Sequence, residues 1–150
     1  MNKKMFCGIE CRFSKLTDFW DFFEFSGIEF ESNIFYVRDE FVLSKGRRIS
    51  LPKKFSFEFI KELVEASFVC DRLVLHLYPD DKVSQDICYY SDFTKSDCKM
   101  IILIYDCYNV EVYCKNNKWL ETLLVNARKT SNTIVTKIYK DTDSRTQMYV

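Results

Sequence analysis

The fold is decided by one stretch, MIILIYDCYNVEVYC, which spans residues 100–114. Its first six residues, 100–105, are apolar on both faces of an extended chain, which is typical of a strand at the centre of a sheet. From residue 110 to 114, apolar side chains alternate with Glu111 and Tyr113, which predicts a second strand with one wet face. The link between the two runs has the length of a hairpin loop. The stretch therefore predicts an antiparallel pair of strands at the middle of a sheet.

The sequence on either side of this pair predicts further strands and helices. On the C-terminal side, apolar residues at helical spacing predict a helix that begins after Asn116 or the next residue. On the N-terminal side, residues 72–78 form an almost continuous apolar run, which predicts an inner strand. We also predict a short helix over residues 91–95 and two last strands over residues 133–139 and 146–150.

The N-terminal half predicts a similar mixture of elements. Residues 4–13 alternate loosely and predict a first strand. Residues 14–26 carry a stripe of apolar side chains at helical spacing, which predicts an amphipathic helix. Residues 28–44 are expected to form two strands that turn at residues 38–39. A second helix is predicted from Ser56, which is a suitable N-cap.

Strands outnumber helices in this prediction, and several connections have hairpin length. We therefore predict an α+β fold in which about three helices pack on one face of a mainly antiparallel sheet. The 150 residues contain no repeat, low-complexity segment or linker rich in Pro, Gly and Ser, which predicts a single domain over residues 1–150. A chain of this length buries roughly 70% of the surface that it exposes when unfolded, so its core needs no metal or disulfide.

The composition excludes several classes of function. Lys and Arg together number 22, as do Asp and Glu, so the chain lacks the basic excess of a dedicated nucleic-acid-binding protein. Only 3 residues are glycine, and neither the dinucleotide-binding motif nor the P-loop motif occurs. The N-terminal residues do not have the pattern of a signal peptide. We therefore predict no cofactor, no nucleic-acid partner and no membrane association.

The seven cysteines predict reduced thiols in a cytoplasmic protein. Their number is odd, no two have C-x-x-C spacing, and most lie in apolar runs, which is typical of small core residues. We expect no disulfide in a reducing compartment. The alternative is a zinc site that combines Cys7, Cys11 and His76, which is less favoured because no other residues have ligand spacing.

The C-terminal third resembles a small bacterial family. The resemblance lies in SDCKMIILIYDCYNVEVYCK, residues 96–115, and in the ending DTDSRTQMYV, residues 141–150. The family is described only as a domain of unknown function. The resemblance covers roughly residues 96–150, and it implies a bacterial, cytoplasmic, stand-alone protein. It carries over no catalytic residue.

His76 is the one histidine in the chain, so every histidine-dependent mechanism depends on it. A lone histidine in an apolar strand is more often structural than catalytic. The alternative is a small enzyme in which His76 works with a nearby carboxylate. The candidate carboxylates are Asp80, Asp81 and Asp106, with Glu111 across the hairpin from the last of these. We assign no catalytic residue.

Charge is segregated along the N-terminal part of the chain. Residues 17–40 contain seven acids and one base, whereas residues 44–55 contain five bases and no acid. Blocks of this kind commonly pair with each other or form solvated faces. The functional interpretation is an acidic surface that attracts a basic protein partner, as in inhibitors of basic nucleases. Helix geometry directs Asp18, Asp21 and Glu24 outward, so these are the predicted binding residues.

We therefore predict a non-enzymatic protein-interaction domain of the bacterial cytoplasm, similar in role to an immunity protein or an antitoxin. A small enzyme built on His76 is the alternative. The basic block of residues 44–55 is a weaker candidate for contact with phosphate, because no stacking aromatic side chains are interleaved in it.

Overall fold

The structure is a computed structural model that describes residues 3–13, 32–59, 62, 68–130 and 135–150. The elements bounded within these ranges are eight strands and two helices. In chain order they are β1 (Met5–Arg12), β2 (Asn33–Ser44), β3 (Arg47–Ile49), β4 (Lys54–Phe55), β5 (Phe68–Pro79), α1 (Tyr90–Lys95), β6 (Met100–Cys107), β7 (Asn109–Cys114), α2 (Asn117–Thr130) and β8 (Thr136–Lys140).

The eight strands join one antiparallel sheet with the order β3-β2-β5-β6-β7-β1-β8, in which β4 also pairs with β2. β6 occupies the middle position, and its residues 100–104 are all buried. The central placement predicted for the apolar stretch is therefore confirmed. The physical reason is that only the middle of a sheet covered on both sides offers apolar neighbours to every side chain of a strand.

The two faces of the sheet carry two separate apolar clusters. On β5, Leu73, Leu75 and Leu77 belong to one cluster, whereas Val74 and Tyr78 belong to the other, because successive side chains point to opposite sides. α2 contributes its apolar stripe to the first cluster, and α1 contributes two aromatic side chains to the second. We call the two sides the α2 face and the α1 face.

The prediction of an α+β fold, with about three helices on one face of the sheet, is wrong. In the described residues the fold is mainly β, and the two helices have 6 and 14 residues and lie on opposite faces. The reason is that β5 and β6 are apolar on both sides, so each face needs its own cover. On the α1 face, Ile87, Cys98 and Met148, which lie outside regular elements, supply much of that cover in place of a helix.

β2 is one strand of 12 residues, although the sequence predicts two strands that turn at residues 38–39. On either side of Arg38, β2 pairs with adjacent residues of β5, which leaves Arg38 as the extra residue of a β-bulge. The two charged residues at 38–39 therefore interrupt the hydrogen bonding between β2 and β5 without reversing the direction of the chain. The reversal comes at Lys45 and Gly46, whose φ angles of 52° and 77° suit a two-residue hairpin turn.

Several predicted elements are confirmed. They are the first strand (β1), the inner strand (β5), the short helix (α1) and the C-terminal helix (α2). Asn116 caps α2, because its Oδ1 accepts the backbone N–H of Trp119 at 3.0 Å. The helix predicted over residues 14–26 lies outside the described residues, as does most of the helix predicted from Ser56. No helix in the described ranges is long and apolar enough to cross a membrane.

Two expectations for the C-terminal third are wrong. Tyr113, expected on a wet face of β7, is only 2% exposed, because its ring packs against Tyr90 with 6.1 Å between the ring centroids. Residues 146–150 make one isolated bridge and no strand. Instead, the side chain of Met148 enters the apolar cluster of the α1 face while its backbone N–H bonds to the loop before α1.

Gly8 of β1 lies close to Tyr113 and to the backbone of the neighbouring strand. A β-carbon on Gly8 would lie 2.7 Å from the carbonyl oxygen of Val112 and 3.1 Å from Cδ1 of Tyr113. Because the nearer atom belongs to the backbone, no side-chain rotation relieves the clash. We expect Gly8→Ala to lower the free energy of unfolding by about 1–3 kcal/mol, the usual cost of overpacking. Urea denaturation measures it, and a variant as stable as the parent would contradict the close packing of β1 on β7.

Candidate functional site

His76 lies in the middle of β5 on the α1 face and is 1% exposed. It pairs with Tyr36 of β2 on one side and with Ile101 of β6 on the other. Among the described residues, neither ring nitrogen has a hydrogen-bond partner. Burial, with a smaller contribution from the charge of Arg38, lowers the pKa of His76 from 6.5 to about 4. The side chain is therefore neutral near pH 7.

The loop of residues 80–87 is anchored next to His76. The hydroxyl of Tyr36 donates to the carbonyl of Lys82 at 3.2 Å. The hydroxyl of Tyr78 accepts the backbone N–H of Gln85 at 2.9 Å. Since Tyr36 and Tyr78 flank His76 on the same face, these bonds hold the loop against the part of the sheet in which the histidine is buried.

The carboxylates expected to work with His76 do not gather around it. Asp80 and Asp81 are exposed in a turn beyond the end of β5. Asp106 is exposed at the far end of β6, roughly 16 Å along the strand from the residue that faces His76. Glu111, on β7, lies opposite Leu103 rather than near His76. The described residues therefore give the enzyme alternative no geometric support.

The two charge blocks differ in what the structure describes. Asp18, Asp21 and Glu24, the predicted binding residues, lie outside the described residues. The basic block of residues 44–55 is described, and it forms the β2–β3 hairpin and β4 at one edge of the sheet. The predicted pairing or separation of the two blocks therefore stays a prediction.

All seven cysteines are free thiols. Cys7 belongs to the cluster of the α1 face and Cys11 to that of the α2 face, so the zinc set of these two with His76 does not converge. No group of three side chains that could hold a metal ion occurs in the described part of the chain. Burial raises the pKa of the Cys11 and Cys98 thiols to about 12, which keeps them protonated and weakly nucleophilic.

The α1 face divides into a covered part and an open part. Near Tyr78, α1 and the segments that flank it cover the sheet. Toward the other end of the strands, polar side chains take the place of apolar ones and are exposed or half-buried. We call this open area the polar half-face. The side chains that the pairing registers place on it include Glu10, Arg12, Glu111, Asn109, Tyr105, Arg72, Asp39 and Phe41.

Two carboxylates face each other at one end of the polar half-face. Glu10 of β1 and Glu111 of β7 are directly opposite in the antiparallel ladder, a position in which Cβ atoms lie about 5 Å apart. Neither carboxylate has a cation within the 4.0 Å of an ion pair in the described ranges. The hydroxyl of Tyr113 donates to Oε1 of Glu111 at 2.8 Å, and the charge of the same carboxylate acts on Tyr105.

Both tyrosines near Glu111 stay protonated in this arrangement. Desolvation by burial, followed by the charge of Glu111, raises the pKa of both Tyr105 and Tyr113, so their hydroxyls keep their protons. The hydrogen bond from Tyr113 fixes the position of the Glu111 carboxylate. Glu10, beside it, is exposed to solvent.

The other end of the polar half-face is basic. The guanidinium carbon of Arg48 lies 4.5 Å from the ring centroid of Phe41, and that of Arg72 lies 5.6 Å from it. Arg72 also donates through Nε to Oδ2 of Asp39 at 2.8 Å. The face therefore carries two carboxylates, with Arg12 beside them, at β1 and β7, and two arginines at β3 and β5.

The sequence named Glu111 only as a partner of Asp106, and it did not identify Glu10, Tyr105 or Phe41. One local signal for the orientation of Glu10 was present. Its neighbours in the sequence, Ile9 and Cys11, point to the α2 face, so the side chain of Glu10 points to the opposite face. The register that places Glu10 opposite Glu111 arises from long-range pairing of β1 with β7, which no local pattern reports.

Comparisons with known proteins give one family and one relative. The family described as "Protein of unknown function (DUF2691)" matches residues 56–149. "Uncharacterized protein YncE" of Bacillus subtilis (strain 168) is 34% identical over 76 residues, which are 51% of this chain and 50% of that relative. The chain thus spans about half the length of that relative. No solved structure matches. The family resemblance of the C-terminal third is confirmed, and the match begins at residue 56.

Proposed function

The chain belongs to the DUF2691 family of proteins of unknown function, and from its geometry we propose that it is a non-enzymatic protein-interaction domain that binds a basic partner. The observation that carries the proposal is the pair of Glu10 and Glu111 on the polar half-face. A lysine or arginine of the partner docks between the two carboxylates. The neighbouring ring of Tyr105 offers it an aromatic surface.

The energetics of the pair favour a cationic ligand. Like charges directly opposite each other on neighbouring strands destabilise a sheet. A cation placed between Glu10 and Glu111 replaces this repulsion with charge-assisted hydrogen bonds. Because Tyr113 already holds Glu111 in place, little side-chain entropy is lost at that residue on binding.

Other features support binding in preference to catalysis. His76 is buried and neutral, and the carboxylates considered for a mechanism lie away from it. The seven free thiols support a reducing compartment such as the bacterial cytoplasm. Asp18, Asp21 and Glu24 form a second acidic set in this proposal, which their helical spacing alone supports. An immunity or antitoxin role toward a basic protein fits the same chemistry.

The test measures binding of a Lys- and Arg-rich peptide by fluorescence anisotropy at several salt concentrations. We expect the parent to bind with an affinity that falls as salt rises. The double variant Glu10→Gln/Glu111→Gln should bind at least about tenfold more weakly, which corresponds to about 1.4 kcal/mol. Glutamine still accepts the Tyr113 hydrogen bond, so the fold is preserved.

The matched control is Glu58→Gln/Glu121→Gln, which removes two exposed carboxylates away from the polar half-face. Its affinity should stay within about twofold of the parent, because exposed charges far from the site act only through screened long-range attraction. If the two double variants lose the same affinity for the basic peptide, the assigned site is wrong. Failure of the parent to prefer the basic peptide over an acidic peptide of equal length would contradict the proposed function.

A further inference from the structure

A pocket of about 270 Å³ lies at the outer edge of β2, apart from the pair of Glu10 and Glu111. β4 pairs with β2 as far as Tyr36, and β3 pairs with it from Val42 onward. Between these points, residues 50–52 turn away from β2 and open a gap beside it. The bulge at Arg38 lies in the same gap. The pocket is therefore a consequence of how the strands at this edge are interrupted.

The pocket carries an excess of positive charge. The ionisable side chains that line it are Arg38, Arg48, Lys53, Arg72, Asp39 and Glu40. Both carboxylates already have partners, since Asp39 accepts from Nε of Arg72 at 2.8 Å and Glu40 accepts the backbone N–H of Leu51 at 2.9 Å. In the described ranges, Arg48 and Lys53 have no carboxylate within the 4.0 Å of an ion pair. Four cations against two carboxylates leave two positive charges in excess.

Three of the cations are held in place before any ligand arrives. Arg48 and Arg72 both stack on the ring of Phe41. Arg38 donates to Oγ of Ser84 at 2.8 Å and to Oδ1 of Asp86 at 3.0 Å. The Asp86 side chain is 98% exposed, so this ion pair is screened and neutralises little of the Arg38 charge. Guanidinium groups held in this way are suited to two-pronged hydrogen bonding with oxyanions.

We propose that this pocket binds the phosphate group of a small phosphate monoester, with Arg48 and Lys53 as the principal cations. A phosphate monoester near pH 7 carries close to two negative charges, which matches the excess of positive charge in the lining. Val37 and Leu51 also line the pocket and offer apolar contact to the organic part of the ester. An aromatic ring beside the pocket is supplied by Phe41 of β2, on which Arg48 stacks.

The test is calorimetric titration with inorganic phosphate and with phenyl phosphate, at an ionic strength held constant with sodium chloride. We expect the parent to bind both probes, phenyl phosphate more tightly. Arg48→Gln/Lys53→Gln should weaken both by at least about tenfold. The matched control is Lys45→Gln/Lys54→Gln, which removes the same charge from the same basic block but outside the pocket. It should stay within about twofold of the parent.

Several results would overturn the site. If both double variants lose the same affinity for the two probes, the probes are attracted by the basic edge as a whole and not by the pocket. If the parent binds neither probe but binds an acidic peptide, the edge contacts protein and no phosphate site exists there. If Arg48→Gln/Lys53→Gln folds poorly, the single variant Lys53→Gln replaces it in the test. Its affinity for both probes should fall by at least about threefold. Glu10→Gln/Glu111→Gln should leave phosphate binding unchanged, which separates this site from the proposed function.

Discussion

We expect Leu103→Ala to lower the free energy of unfolding by about 2–5 kcal/mol, the range found when a large buried side chain is truncated to a methyl group. Leu103 is in the middle of β6 on the α1 face and is 2% exposed. It pairs with Val74 of β5 on one side and with Glu111 of β7 on the other. Because hydrogen-bonded ladders fix the strand on both sides, the sheet cannot close around the missing atoms, and a cavity remains.

Urea denaturation followed by circular dichroism measures this loss. The matched control is Val125→Ala on α2, whose side chain is 48% exposed. That variant should change the free energy of unfolding by no more than about 0.5 kcal/mol, as surface substitutions generally do. If Leu103→Ala costs less than about 1 kcal/mol, β6 is not at the centre of the core.

The central strand was predictable because burial on both faces leaves a local trace in the sequence. Five consecutive apolar residues, 100–104, have no polar position at which a strand could face water. The same reasoning identified β5 and the buried stripe of α2. These predictions succeed since each depends only on the spacing of apolar residues within one element.

The order of the strands was not predictable in this way. β1 lies between β7 and β8, so that the N-terminal strand separates two C-terminal ones. The bulge at Arg38 resembles a turn in sequence, because charged residues interrupt an apolar alternation in either structure. The fold class was wrong for a related reason, since apolar loop residues such as Ile87 and Met148 cover a face to which the prediction assigned no cover.

The candidate site depends on these same long-range relations. Glu10 and Glu111 each have the pattern of an ordinary outward-facing strand residue. Their role in the proposal comes from the register that makes them direct neighbours. The pocket at the β2 edge likewise combines the basic block of residues 44–55 with Arg72, which comes from β5. Sequence reasoning found the charges but not the elements that bring them together.

The burial of His76 predicts acid destabilisation well above the pH at which carboxylates protonate. Its pKa is about 4 in the folded chain, against an ordinary value of 6.5 when unfolded. Between these values the unfolded state binds more protons, so the free energy of unfolding falls as the pH falls. The stability that the neutral, buried His76 contributes is therefore fully present above pH 6.5. Each pH unit costs at most about 1.4 kcal/mol, so we expect a loss of about 2 kcal/mol between pH 7.5 and pH 5.

The comparison that isolates His76 is the free energy of unfolding at pH 7.5 and pH 5 for the parent, His76→Leu and His76→Gln. Since neither ring nitrogen has a hydrogen-bond partner in the described part of the chain, leucine leaves no polar group there unpaired, and we expect His76→Leu to be at least as stable as the parent at pH 7.5. Glutamine keeps a polar side chain that does not titrate. Both variants should lose most of the acid dependence of the free energy of unfolding.

Asp92, whose pKa is lowered by the backbone N–H groups of Tyr89 and the preceding residue, titrates below this window. If all three proteins lose the same stability, the acid dependence belongs to the carboxylates, and His76 is not held neutral by its burial.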